Sequence, residues 1–73
     1  MPAPTSHHRV PGLQHARVAR YLTQRALAEK AGIATSTVAR GEQGYPISLI
    51  AAQKLADALD VTVQQLREEG PLS

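Results

Sequence analysis

The chain contains no cysteine, no phenylalanine and no tryptophan, and only two tyrosines among its 73 residues. Without cysteine there is no disulfide scaffold, no thiolate zinc site and no thiol nucleophile. The scarcity of aromatic residues argues against a sheet, because strands favour aromatic and β-branched side chains. No apolar run approaches the roughly 18 residues needed to span a bilayer. No basic segment leads into a long apolar stretch of signal-peptide type. What is present is alanine: twelve of the residues in the 42% hydrophobic fraction, a composition suited to closely packed helices. The length allows one domain at most. A domain of this size buries only about 60% of the surface its unfolded chain exposes, so its stability is modest.

The net charge of +2 conceals an asymmetry. Up to position 40, Arg9, Arg17, Arg20, Arg25, Lys30 and Arg40 face Glu29 alone. Beyond it, Lys54 and Arg67 face Glu42, Asp57, Asp60, Glu68 and Glu69. A basic half and an acidic half suggest a polyanionic partner on one face, although solvated surface charge explains the same counts.

Residues 1–11 have three prolines and no apolar periodicity, and they read as a disordered arm. From Leu13 onward the pattern is helical. Leu13, Ala16 and Ala19–Arg20 share one face of a short first helix that ends near Tyr21. Thr23 caps a second helix over Gln24–Ala31, with Leu22 and Leu27 as a hydrophobic staple, and Gly32 ends it in a left-handed conformation. A third helix starts at Ala34 or Thr35 and runs to about Gln43, with Ile33 and Val38 as its staple and Gly44 at its end. Ser48 caps a fourth helix, Leu49 to Leu59, whose core stripe is Leu49, Ala52, Leu55, Ala56 and Leu59. Thr62 and Gln65 form a capping box for a fifth helix, stapled by Val61 and Leu66 and stopped by Gly70–Pro71.

The stretch Leu22–Gly44 holds the functional signal. Two short helices are joined by a tight glycine turn, and the small residues Ala28 and Ala31 let them approach closely. That arrangement is a helix-turn-helix, whose second helix enters the major groove of DNA. Thr35, Ser36 and Thr37 place small hydrogen-bonding side chains at the start of that helix, and Arg40 lies one turn on. A helix N-terminus also attracts phosphate.

Three blocks in order, LTQxxLAxxAG at 22–32, STVxRxEQG at 36–44 and KLADALDVTVQQL at 54–66, resemble the Cro/C1-type helix-turn-helix domain of phage repressors and Xre-like bacterial regulators. The resemblance runs from Leu13 to Leu66. It implies an all-α, lambda-repressor-like bundle of five helices that binds operator DNA, usually as a two-fold dimer. It implies base contacts from Thr35, Ser36 and Arg40, and phosphate contacts from Gln24, Thr37 and Gln43. It also implies a structural ion pair between Arg17 and Glu42, which we expect to be largely buried. Three residues depart from the family pattern. Tyr21 stands where glycine usually makes a left-handed turn, Ala34 where a polar residue caps the third helix, and Gly41 where a large apolar residue fills the core. Gly41 is expected to leave a shallow depression partly covered by Tyr45.

The expectation is therefore a compact five-helix domain over residues 12–70, with a disordered arm at 1–11 and a tail at 71–73. Its partner is double-stranded DNA, and its activity is repression by a homodimer on a pseudo-palindromic operator. Val61, Val63 and Leu66 are the expected dimer face. The alternatives are an antitoxin that represses its own operon and binds a toxin, and a protein-interaction module that keeps the fold without DNA binding. No motif of a nucleophile elbow or phosphate loop occurs, so an enzyme is not expected, nor a cofactor, a metal or a membrane partner. The expected location is the cytoplasm, at the nucleoid. His7, His8 and Arg9 read as tail residues, ahead of a metal site or a minor-groove contact.

Overall fold

Polar side chains open three helices by accepting hydrogen bonds from backbone N–H groups that have no partner within the helix. The computed structural model describes residues 7–68. Its elements, in order, are β1 (His7–His8), α1 (Leu13–Ala19), α2 (Gln24–Ala31), α3 (Thr35–Glu42), β2 (Ile47–Ser48), α4 (Leu49–Leu59) and α5 (Val63–Arg67). Thr23 Oγ1 accepts from the Ala26 N–H at 3.0 Å and Ser48 Oγ from the Ala51 N–H at 3.1 Å. At α5 the box closes both ways, Thr62 Oγ1 accepting from Gln65 N–H and Gln65 Oε1 from Thr62 N–H. Ala34 brings no side-chain cap to α3. Gly32, at φ 74°, ends α2 in the left-handed region, and its N–H reaches the Ala28 carbonyl at 2.8 Å. Asp60 ends α4 in the same conformation, which a short polar side chain tolerates.

The core is built from leucine, valine, isoleucine and alanine contributed by α1 to α5, by Ile47 of β2 and by Val10 ahead of α1, with no aromatic residue in it. Ala52, Leu55, Ala56 and Leu59 present the buried stripe of α4. Leu49, expected on that stripe, is instead exposed. It is the first residue of α4.

The boundary of the ordered domain falls earlier than composition suggests. Of the stretch read as an arm, residues 1–6 lie outside the described residues, but residues 7–11 belong to the fold. β1 pairs antiparallel with β2, His7 opposite Ser48 and His8 opposite Ile47. Val10 is fully buried. The Gly12 N–H donates to the Leu66 carbonyl at 2.9 Å. A Cβ at position 12 would stand 2.5 Å from the Glu68 carbonyl oxygen and 2.9 Å from that of Gln65, so only glycine permits this approach to α5. Prolines at positions 2, 4 and 11 obscure the segment because they signal irregular chain, while a single buried valine has no periodicity to detect. α5 ends at Arg67, with Glu68 already extended, ahead of the expected stop at Gly70–Pro71, which lies outside the described residues together with the tail at 71–73.

Gly41 also differs from expectation. Tyr45, expected to cover a depression there, is 56% exposed. The space is occupied: a Cβ at position 41 would stand 3.1 Å from Leu13 Cδ2 and 3.2 Å from Val10 Cγ2. Leu13 of α1 and Val10 of the segment before it supply the bulk that α3 itself lacks.

Tyr21 keeps the left-handed turn between α1 and α2, at φ 57°, although it is not glycine. That conformation costs a residue with a Cβ about 1–2 kcal/mol. The side chain is 96% exposed, so little packing offsets the cost. Tyr21→Gly is therefore expected to stabilise the domain by about 0.5–1 kcal/mol, after the greater entropy loss of glycine is counted. A higher urea midpoint at unchanged slope is the expected observation.

Candidate nucleic-acid interface

α3 has two unlike faces. Val38 and Gly41 are buried against the core. Thr35, Ser36 and Arg40 are exposed on the other side, with Ser36 and Arg40 one helical turn apart. Thr37 is half-buried at the edge, and Gln43, just past the last residue of α3, is exposed. α2 packs against α3, and the buried Ala28 keeps the two helices close. The exposed side of α3 therefore offers short hydroxyls, one guanidinium and a helix start whose N–H groups no side chain caps. Those are donors and acceptors for base edges and phosphates.

A polar bracket behind this face sets its position. Glu42, at the end of α3, accepts from Arg17 of α1 through two contacts, Nε to Oε2 at 2.5 Å and Nη2 to Oε1 at 3.1 Å. The two side chains are only 13% and 5% exposed. Arg17 Nη1 donates to the Leu22 carbonyl at 2.7 Å, and Gln24 Nε2 donates to Glu42 Oε1 at 2.9 Å. One carboxylate thus ties α1, the turn before α2, the start of α2 and the end of α3. Bidentate geometry fixes direction as well as distance. Hydrogen bonding to Glu42 raises the Arg17 pKa, against the opposing effect of burial and with help from the carboxylate charge. No buried side-chain polar atom among the described residues lacks a partner.

Gln24 sits differently from a simple backbone contact. It is half-buried, and one of its amide hydrogens is engaged with Glu42. The second remains for another acceptor, since a primary amide carries two donors.

The expected dimer face needs correction. Leu66 is 1% exposed and belongs to the core, because α5 lays it against the rest of the bundle. Val61 and Val63 are half-buried, packed against the same core. The apolar pattern of α5 arises from packing within the domain, so Leu66 has no surface to offer a second copy. Sequence reasoning also missed Val10 and Gly12, which brace α3 and α5 from the N-terminal side. The one available signal was the missing side chain at position 41, which calls for a filler from elsewhere.

Comparison with known proteins gives two matches. A family model described as helix-turn-helix matches residues 13–66. Among solved structures, the crystal structure of the master regulator for biofilm formation SinR in complex with DNA is similar, with 29% sequence identity and a TM-score of 0.71. The likeness covers 77% of this chain and 92% of that one. No curated protein sequence matches the chain.

Proposed function

Because the chain belongs to the helix-turn-helix family of the Cro/C1 type, we propose that it is a double-stranded DNA-binding transcription regulator whose α3 reads the major groove. The observation that carries this reading is the two-faced α3, with Thr35, Ser36 and Arg40 exposed opposite a buried Val38 and Gly41. The similar fold of SinR, solved with DNA, supports it. Arg40, Thr35 and Ser36 contact base edges. Gln24, Thr37 and Gln43 contact phosphates, Gln24 through the amide hydrogen that Glu42 leaves unused. The protein acts as a repressor by occluding a promoter, and it binds as a two-fold dimer on a pseudo-palindromic operator. Of the apolar residues in α5 and the turn before it, Val61 and Val63 are the ones near enough to the surface to contribute to pairing.

The test is selection of random duplex DNA on the protein. A palindrome with two half-sites about one helical turn apart supports a two-fold dimer. A single half-site refutes the dimer, and no enrichment at all refutes sequence-specific binding. Binding should also fall steeply with salt, as phosphate neutralisation requires.

Individual side chains separate on the selected sequence. Arg40 has the longest reach on the exposed face, and its planar fork matches the O6 and N7 acceptors of guanine. Arg40→Ala is expected to cost about 1–3 kcal/mol on the operator and to relax preference at one base position per half-site. Gln24→Ala is expected to weaken operator and scrambled DNA alike, with hardly any change in salt slope, because glutamine is neutral. Titration of both variants at several salt concentrations checks this. An equal loss on both DNAs for Arg40→Ala, with a flatter salt slope, would make Arg40 a phosphate clamp.

A further inference from the structure

Position 41 is where three separate parts of the chain converge on the inner face of α3. Leu13 comes from α1, Val10 from the segment before it and Ile47 from β2, their nearest atoms 3.1, 3.2 and 3.7 Å from where a Cβ of residue 41 would be. Val10 and Ile47 are both buried. A side chain at position 41 and the side chain of Val10 therefore claim the same volume. On its N-terminal side Val10 is held by β1, which pairs with β2 and packs on α4. A ladder of two residue pairs joins β1 to β2, and Arg9 and Pro11 on either side of Val10 are exposed. The firm anchors, Gly12 N–H to the Leu66 carbonyl and Leu13 N–H to the Val10 carbonyl, lie at the C-terminal end of the segment. Two-stranded pairings this short are marginal by themselves. Segments with few buried contacts open without global unfolding.

We propose that residues 7–10 form a detachable strap, whose docking of Val10 onto Gly41 completes the core behind α3 and holds that helix in its DNA-binding seat. With the strap docked, α3 is braced from behind. With it released, Gly41 leaves a hole under α3 that nothing else on the helix fills, and only the Arg17–Glu42 pair and Leu13 still hold the helix against α1. The N-terminal segment is thereby a control point for the reading helix, whose inner face it packs against. Only the coupling to DNA rests on the function proposed above; the docking itself does not.

The experiment uses the full chain and four proteins: wild type, Val10→Ala, Gly41→Leu and the double variant. Thermal melts read the packing. Each single change is expected to lower Tm by about 5–15 °C, one by opening a hole and the other by overfilling it. In the Val10→Ala background, Gly41→Leu is expected to raise Tm, because leucine then occupies the vacated space. An equal fall in both backgrounds overturns the shared volume, since independent sites add.

Amide hydrogen exchange reads the opening. Exchange at residues 8–10 and 47–48 is expected to be at least about tenfold faster than in the middle of α4, and faster still in Val10→Ala. Equal rates in the strap and α4 overturn a separate opening. Affinity for the selected DNA, measured well below every Tm, reads the coupling. If Val10→Ala leaves about one molecule in ten docked, the apparent Kd rises about tenfold. The double variant is expected to recover most of that loss. An unchanged Kd in a variant whose strap has opened overturns the coupling. A wild type that binds no DNA refutes DNA binding itself, and the melts and exchange still decide the strap.

Discussion

Glu42→Ala is expected to destabilise the domain by about 3–5 kcal/mol, the usual cost of removing one partner from a buried ion pair. The substitution leaves the Arg17 guanidinium nearly buried with its two carboxylate contacts gone and only the Leu22 carbonyl left. It also frees Gln24, whose amide is held by the same carboxylate. Domain stability runs at about 0.05–0.15 kcal/mol per residue, so this loss takes up much of what a chain this short has. Chemical denaturation checks the magnitude. The penalty comes from stranding a charge, so removing both charges together costs less. Arg17→Met with Glu42→Leu is expected to fall well short of the sum of the single losses, because the pair is replaced by apolar volume. The remaining cost is the Leu22 carbonyl left without its donor. Equal additivity in the cycle would show that the two side chains do not act as a unit. DNA affinity should fall in the double variant as well, since Gln24 and the end of α3 lose their common anchor.

Leu66→Ala is expected to cost about 2–5 kcal/mol of folding stability, the range for truncating a buried leucine. Leu66 is fully enclosed, and its carbonyl accepts the Gly12 N–H, so a cavity there also loosens the start of α1. The measurement that decides is a comparison of thermal melting with sedimentation. A lower Tm, with no change in association at matched folded concentration, fits a core residue. Unchanged melting with weakened self-association would restore Leu66 to an interface. Val63→Ala, at a half-buried position, should cost less than Leu66→Ala because less of its surface leaves water on folding.

By itself the sequence determined the helices and their punctuation. Thr23, Ser48 and Thr62 each act on an N–H group within three residues, and Gly32 acts on its own backbone angle, so nothing distant alters their roles. The spacing of Leu22, Leu27, Ile33 and Val38 likewise announces two helices meeting at a tight turn. The pairing of Arg17 with Glu42 came from resemblance, because 25 residues separate them and no local rule links them. Only the tertiary structure decided what fills the space beside Gly41, which side of α5 carries Leu66 and where Leu49 ends up. Each depends on volumes brought together from remote parts of the chain. Apolar periodicity says that a face is buried but not by what, so Leu66 reads equally as core or interface until α1 and α4 are seen to cover it. Val10 was the hardest to foresee: one valine among prolines and histidines has no pattern, and its place follows solely from the absence of a side chain 31 positions later.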